Sequence, residues 1–163
     1  MSQEQNQSAT MTLWILWGSM LSSVFIYVVV LFVISQNKEG FTPPDPGLIQ
    51  TLLIAFGAVS VAEAGAIFYL RKVTFFSKLE DGAFDTIDEL RDAYKTASIL
   101  SWGLSESVAV FGLVLGVLTR DPMYYLYFAP PAIALFLLLT PKLGRYEEQW
   151  KAKHSKPSTP TTW

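Results

Sequence analysis

Four long stretches of apolar residues dominate the hydrophobic pattern of this 163-residue chain. They lie at about residues 11–35, 48–70, 97–119 and 123–140. Each is long enough for a helix that crosses the hydrocarbon core of a bilayer, which needs roughly 17 to 25 residues. The short connections between the first and second stretches and between the third and fourth contain Pro, Gly and Asp, which is typical of turns. The pattern predicts an all-α, polytopic membrane protein with four transmembrane helices.

A longer polar segment, residues 72–96, separates the second and third stretches. Its apolar residues recur at steps of three and four positions, which predicts an amphipathic helix. They are Phe84, Ile87, Leu90, Ala93 and Tyr94. We expect this helix to begin near Asp85 and to continue into the third stretch, giving one helix of about 35 residues and about 50 Å.

The two ends of the chain are polar. Residues 1–10 form a polar N-terminal tail and residues 142–163 a polar C-terminal tail, so that 11–141 is the transmembrane domain. The composition from residue 151 onward is rich in Lys, Ser, Thr and Pro and predicts disorder there. In the fourth stretch, Pro130 and Pro131 remove two helix hydrogen bonds, which predicts a kink or a break.

Basic residues are divided unequally among the connecting segments. Five of the twelve Lys and Arg residues lie between the second and third stretches, and five follow the fourth. Only Lys38 and Arg120 lie in the other two connections. Because cytoplasmic segments carry an excess of Lys and Arg, both termini and residues 72–96 are predicted to be cytoplasmic. We therefore expect an N-in, C-in protein of the bacterial inner membrane.

The composition also argues against several classes of function. The chain has no cysteine and one histidine, His154, which lies in the polar tail. We therefore expect no metal site, no cofactor and no enzymatic activity. A net charge of −2 provides no basic surface for phosphates, so nucleic acid is not expected as a partner. The expected partners are the lipid bilayer and either further copies of this chain or other membrane-protein subunits.

Two acids interrupt the apolar stretches, and no Lys or Arg inside any stretch can pair with them. Glu63 precedes Arg71 and Glu106 follows Ala97 by similar numbers of residues, so helical rise places both acids roughly 12 to 14 Å from the cytoplasmic boundary. A buried carboxyl is costly unless it is protonated, paired or bound to an ion. The two acids are therefore candidate ion-binding residues, and nearby hydroxyl groups are candidate further ligands. These hydroxyl groups belong to Ser60, Ser105 and Ser107.

The sequences around the two acids resemble each other. AEAGAIFYL, from Ala62, and SESVAVFGL, from Ser105, match in residue type at most positions. This likeness is consistent with an inverted repeat, at whose interface ion sites often lie. A WG pair and a DP pair that each occur twice are instead consistent with two tandem hairpins. The sequence leaves both interpretations open.

The segment ESVAVFGLV, residues 106–114, carries a motif of acid, small residue, apolar residues, aromatic residue, Gly, Leu and Val. This motif resembles the carboxylate helix of rotary ATPase proteolipid c subunits. The residues that match are Glu106, Ser107, Val110, Phe111, Gly112, Leu113 and Val114. The likeness covers residues 48–118, since the second stretch, rich in Gly and Ala, is similar to the first c helix. It implies an oligomeric ring in which Glu106 binds and releases a proton or sodium ion, with Glu63 as a second ligand.

This chain departs from that family in several ways, since it also lacks the dense Gly repeat and the short Arg, Gln or Asn, Pro loop signature. A c subunit is a two-helix hairpin with a short polar loop, whereas four spans and a long acidic segment are predicted here. The sequence therefore leaves two candidate functions. The first is an integral membrane subunit or assembly component of a larger complex, in which the acids are protonated and hydrogen-bond between helices. The second is a proton- or sodium-handling component in which Glu106 and Glu63 bind the cation.

Overall fold

The computed structural model describes residues 3–37 and 40–154, which form helices joined by short connections. The helices are α1 (Gln3–Gln36), α2 (Pro46–Arg71), α3 (Ser77–Glu80), α4 (Ile87–Thr119), α5 (Met123–Leu138) and α6 (Leu143–His154). A π-helical turn, Lys72–Phe76, joins α2 to α3. Four helical segments, which contain α1, α2, α4 and α5, are long and apolar enough to cross a membrane. The predicted all-α class and the number of candidate spans are confirmed.

The helix boundaries follow from the residues at each end. Pro46, whose fixed φ suits a first helical position, begins α2, and the Asp45 carboxylate accepts a hydrogen bond from the Gly47 N–H at 2.6 Å. The Thr86 hydroxyl accepts from the Glu89 N–H at 3.3 Å and caps the start of α4. From there α4 continues for 33 residues. The long helix predicted from the amphipathic pattern is thus confirmed.

Of the kink or break predicted at Pro130 and Pro131, the break is wrong, because α5 runs through both prolines to Leu138. Adjacent prolines remove the N–H donors for only two carbonyls, and the turns on either side keep the helix continuous.

Two tryptophan indoles, one from α1 and one from α4, donate hydrogen bonds to backbone carbonyls at the C-terminal end of α5. The Nε1–H groups of Trp17 and Trp102 donate to the carbonyls of Phe136 and Leu139, each at 3.0 Å.

The predicted disorder from residue 151 is wrong as far as His154, because these residues belong to α6. This helix docks on the preceding chain through side-chain hydrogen bonds. Trp150 Nε1–H donates to the Phe84 carbonyl at 3.0 Å, and Lys153 Nζ donates to the Leu79 carbonyl at 3.0 Å. Residues 155–163 of the predicted tail lie outside the described residues.

Helix α4 is the centre of the fold, since it packs against α1, α2 and α5, whereas α1 and α2 scarcely touch. Two glycines make its contacts with α5 and α1 close. A Cβ added at Gly112 would lie 2.8 Å from Phe128 Cβ, and one added at Gly116 would lie 2.8 Å from the Leu31 side chain. At Gly112 the Tyr125 Cα also lies within 3.2 Å, so a side chain there would separate α4 from α5, whereas at Gly116 the close atoms belong to the end of the Leu31 side chain, which can move.

The two ends of the fold differ in their residues. The loop end comprises the α1–α2 and α4–α5 connections, where Arg120 donates a hydrogen bond to the Asn37 carbonyl and lies 4.6 Å from the Phe41 ring centroid. The basic end comprises residues 71–95 and 139–154, which hold nine of the ten Lys and Arg residues that the structure describes. At its centre is Phe75, which is 1% exposed. Four aromatic rings surround it, and they belong to Phe76, Phe84, Tyr94 and Tyr146.

Candidate functional site

Glu106 is half-buried on the side of α4 that faces α1. Its Oε1 atom accepts hydrogen bonds from the Ser23 hydroxyl at 2.6 Å and from the Tyr27 hydroxyl at 2.9 Å. Ser23 and Tyr27 are four residues apart on α1, so they share one face of that helix. The carboxyl of α4 is therefore held by two hydroxyl groups of α1 in the middle of apolar helices.

The position of Tyr27 depends on α5. Its ring meets the Tyr125 ring edge to face, with centroids 6.5 Å apart. The Tyr125 hydroxyl in turn donates a hydrogen bond to the Val24 carbonyl at 2.5 Å. Because Val24 lies next to Ser23 on α1, this bond fixes α1 beside the carboxyl. Three helices, α1, α4 and α5, thus position the site.

Ser23 has one hydroxyl proton and two acceptors within reach. Its Oγ atom lies 2.6 Å from the Met20 carbonyl oxygen and 2.6 Å from Glu106 Oε1. When the carboxyl is ionised, Ser23 and Tyr27 both donate to it. When the carboxyl carries a proton, its O–H can donate to Ser23 Oγ while Ser23 donates to Met20. Ser23 can therefore serve as a hydrogen-bond partner of the carboxyl in either form.

Glu63 lies at a different interface. It follows Phe56 by seven residues and therefore shares its face of α2, and the Phe56 ring stacks on Phe111 of α4 with centroids 4.8 Å apart. Its Oε2 atom is buried and has no hydrogen-bond partner among the described residues. Glu106 precedes Phe111 by five residues, a rotation of about 140° around α4. The two acids consequently lie on different sides of that helix.

The heights of the two acids agree closely. From the stacked pair Phe56 and Phe111, helical rise places Glu63 about 10 Å and Glu106 about 7.5 Å towards the basic end. The difference in height is thus roughly 3 Å. What separates the acids is the direction in which each faces, not their depth along the bundle.

The three serines proposed as further ligands each donate a hydrogen bond to a carbonyl of their own helix. Ser60 donates to Phe56 at 2.8 Å, Ser107 to Leu104 at 2.8 Å and Ser105 to Ser101 at 2.9 Å. Four-residue steps from the stacked phenylalanines place Ser60 and Ser107 on the facing sides of α2 and α4.

Ser105 belongs to a third side of α4. It precedes Gly112 by seven residues and so lies on the side of α4 that packs on α5. The structure therefore distributes the five predicted residues over three interfaces. Glu106 faces α1, Ser105 faces α5, and the α2 interface holds Glu63, Ser60 and Ser107.

Sequence reasoning missed Ser23 and Tyr27, the two residues that contact Glu106. The available signal was weak, because Ser23 and Tyr27 are one turn apart but α1 also carries other hydroxyl side chains, such as Ser19 and Ser22. Helix periodicity shows that Ser23 and Tyr27 share one face of α1, but it does not show which neighbouring helix that face contacts. Only the packing of α1 on α4 brings them to the carboxyl.

A second polar contact lies at the basic end and joins α4 to α6. Arg91 Nε–H donates to Glu147 Oε1 at 2.7 Å, and Glu147 is 3% exposed. The hydrogen bond to this carboxylate raises the pKa of the Arg91 guanidinium above its usual value. This ion pair compensates the buried Glu147 carboxylate and holds α6 against α4.

Among residues 3–37 and 40–154, no group of three or more His, Asp or Glu side chains is placed to hold a metal ion. No family model, no curated protein and no solved structure matches the chain. The likeness to c subunits thus stays a hypothesis based on the motif at residues 106–114. The function has to be argued from the geometry of the site and of the helix surfaces.

Proposed function

We propose that the protein is an integral membrane subunit or assembly component of a larger membrane complex in the bacterial inner membrane. The four long apolar helices support insertion into a bilayer. The basic end carries nearly all of the Lys and Arg residues that the structure describes, which supports placing this end and both termini in the cytoplasm. The loop end then faces the opposite side.

The observation that carries the assembly role is the outer face of α2. This helix packs extensively only against α4 among the long helices, and its exposed surface includes four small residues among larger apolar ones. They are Ala55, Ala58, Ala62 and Gly65. Small residues at steps of three and four let another helix backbone approach closely inside a membrane. A further helix, from a second copy or from another subunit, is proposed to pack here.

Native mass spectrometry of the protein extracted in mild detergent tests this role. We expect the wild type to appear as an oligomer or with copurifying subunits, and Gly65→Leu to weaken the association at least tenfold. Gly103→Leu is the matched control, because an added Cβ at Gly65 or at Gly103 meets nothing within 4 Å. A wild-type protein that is monomeric and free of partners contradicts the proposal.

The second candidate function is proton handling at Glu106, as in the resemblance to c subunits. It is favoured by the two hydroxyl groups at Oε1 and by the two acceptors of Ser23, which allow the carboxyl to be satisfied with or without a proton. The hydroxyl hydrogens occupy the space beside Oε1. This arrangement favours a proton over a sodium ion, and Glu63 at a similar height is the candidate second acid.

Chemical modification and flux measurements test this second function. A hydrophobic carbodiimide is expected to modify Glu106 near neutral pH, and Glu106→Gln is expected to abolish proton flux into vesicles that contain the purified protein. Glu63→Gln reports whether the second acid takes part. If Glu106 is not modified and Glu106→Gln leaves the flux unchanged, proton handling at this site is wrong.

A further inference from the structure

Arg71, the last residue of α2, carries a buried positive charge that no acid pairs among the described residues. The residue is 8% exposed, and its Nη1 atom is buried without a hydrogen-bond partner. The ion pairs at this end of the fold join Arg91 to Asp88 and to Glu147 instead. A guanidinium has five N–H donors and no acceptor, so burying it without acceptors is costly. A negatively charged group that accepts hydrogen bonds would satisfy it.

Aromatic rings hold the guanidinium in this position. Its Cζ atom lies 5.7 Å from the centroid of the Phe76 ring and 5.9 Å from that of the Tyr94 ring, within the range of cation–π attraction. The π-helical turn Lys72–Phe76, a rare element that is frequent at functional sites, brings Phe76 next to Arg71, whereas five residues of an α-helix would separate them by about 140°. The rings attract the charge but supply no oxygen acceptor. The hydrogen-bonding capacity of Arg71 therefore stays open.

A hydroxyl group and a second positive charge lie beside Arg71. The centroid of the Tyr146 ring, on α6, is 5.8 Å from that of Phe76 and 5.4 Å from that of Tyr94. Burial raises the pKa of the Tyr146 hydroxyl, so this group keeps its proton and can donate a hydrogen bond. The charges of Arg71 and Arg145 act on the pKa of the same hydroxyl in the opposite direction, so both guanidinium groups are near it. Donors from α2 and α6 thus share one small region.

The segments that meet in this region are strongly basic. Residues 71–79 and 139–146 contain five Lys and Arg residues and no Asp or Glu. The next acids along the chain are Glu80, which is exposed, and Glu147, which already pairs with Arg91. The surplus of positive charge favours an anionic ligand over a zwitterionic one.

The depth of Arg71 indicates which anion can reach it. Helix α2 runs from Pro46 to Arg71, about 37 Å by helical rise. The hydrocarbon core of a bilayer is about 30 Å thick, and the bilayer with its headgroups is about 40 to 45 Å thick. When α2 crosses the bilayer in the proposed orientation, Arg71 lies in the headgroup layer of the cytoplasmic leaflet. This leaflet contains anionic lipids.

We propose that Arg71 binds the phosphate group of an anionic lipid, such as phosphatidylglycerol, in the cytoplasmic leaflet. The phosphate oxygens accept hydrogen bonds from the Arg71 guanidinium and from the Tyr146 hydroxyl, and Arg145 adds electrostatic attraction. The phosphate contacts the part of Arg71 that remains exposed. The proposal rests on the proposed membrane insertion and orientation, since the bilayer supplies the lipid. It goes beyond the assembly and proton-handling roles because neither of them uses Arg71.

Lipid titrations of the full-length protein in mild detergent, followed by native mass spectrometry, test the proposal. The ligands are phosphatidylglycerol, zwitterionic phosphatidylcholine, and soluble glycerol phosphate, which has the phosphate without the acyl chains. We expect phosphatidylglycerol to bind at a concentration about tenfold lower than either of the others. Equal binding of the two lipids overturns the preference for an anionic headgroup. Binding of glycerol phosphate as tight as that of phosphatidylglycerol overturns the lipid as the source of the phosphate.

Three variants separate a specific site from general attraction. Arg71→Gln is expected to weaken phosphatidylglycerol binding about tenfold, the effect of losing a hydrogen bond between charged groups. Lys72→Gln is the matched control, because it removes the same charge from an exposed neighbour, and we expect a change of less than about twofold. Equal weakening by these two variants overturns Arg71 as the binding residue.

Tyr146→Phe provides a second test that keeps every charge and the packing of the ring. It removes only the hydroxyl, and we expect it to weaken phosphatidylglycerol binding about fivefold. Unchanged binding in this variant overturns the site shared by Arg71 and Tyr146, whether or not Arg71→Gln folds.

Failure of the lipid proposal can be told apart from failure of the proposed function. The effects of Gly65→Leu on association and of Glu106→Gln on flux are measured on other residues and do not depend on a lipid at Arg71. Extraction of the protein from membranes without detergent would overturn the insertion and the lipid site together.

Discussion

The two acids of the bundle lie at similar heights, but their surroundings differ. Oε1 of Glu106 accepts hydrogen bonds from two hydroxyl groups at 2.6 and 2.9 Å, whereas Oε2 of Glu63 is buried without a partner among the described residues. The neighbouring helix causes this difference. Helix α1 presents Ser23 and Tyr27 to one side of α4, while the α2 side places Glu63 on the face that stacks aromatic rings. Depth in a bundle therefore does not define a site unless a neighbour provides donors.

The largest effect is expected from crowding the closely packed side of α4. Gly112→Leu would place side-chain atoms on Phe128 and Tyr125, and because backbone also lies close, we expect a loss of about 3 kcal/mol in the free energy of unfolding. Gly65→Leu, on the open face of α2, should change the free energy of unfolding by less than about 0.5 kcal/mol. Unfolding of the purified protein in mixed detergent micelles measures both values. Equal losses would contradict the contrast between the two sides.

Replacing each acid by leucine should change the free energy of unfolding differently. Glu106→Leu leaves the Tyr27 hydroxyl without its acceptor, and we expect a loss of about 2 kcal/mol. Glu63→Leu removes a buried oxygen without a partner and is expected to be neutral or stabilising. The same unfolding measurement applies. A larger loss of unfolding free energy for Glu63→Leu than for Glu106→Leu would contradict the conclusion that only Glu106 has stabilising partners.

A double-mutant cycle measures the bond between Tyr27 and Glu106 directly. We expect Tyr27→Phe and Glu106→Leu to be coupled by about 0.6 to 1.7 kcal/mol, as found for hydrogen bonds between membrane helices. Tyr27→Phe and Glu63→Leu should be additive, because the structure shows no contact between these two described residues. Coupling of equal size in both cycles would contradict the separation of the acids.

The smallest effect is expected from the serines. Ser23→Ala removes a donor to Glu106 and should cost about 1 kcal/mol. Ser60→Ala removes a hydroxyl that bonds only to its own helix, so we expect a change within about 0.5 kcal/mol. Thermal unfolding followed by circular dichroism compares the two variants. Similar melting temperatures for both would argue against a special role for Ser23.

Some of this arrangement could be predicted from the sequence. The apolar stretches predict the long helices because a bilayer span requires that length, and the spacing of Leu90, Ala93 and Tyr94 predicts the extension of α4. The similar heights of Glu63 and Glu106 follow from helical rise counted from the basic ends of their two apolar stretches. These features depend only on local periodicity, which the sequence states directly.

The partners of each acid could not be predicted in the same way. The rotation of α4 is set by contacts with distant residues, such as Gly112 on Phe128 and Gly116 on Leu31. That rotation turns Glu106 towards α1 and away from α2. The docking of α6 was missed for a related reason. Its Lys-rich composition is typical of disorder, but Glu147 and Trp150 find partners, Arg91 and the Phe84 carbonyl, far away in the sequence.

The central position of α4 has a consequence for biosynthesis. The ribosome completes α1 and α2 first, yet these helices scarcely touch and each needs α4 as its neighbour. In the proposed membrane protein, Ser23, Tyr27 and Glu63 lack the helix that they face until the third span is inserted. We therefore expect insertion of α4 to be the step at which the nascent chain acquires its fold. A chain that stops at Thr86 is expected to be degraded by membrane quality control much faster than the full-length protein in a pulse-chase experiment.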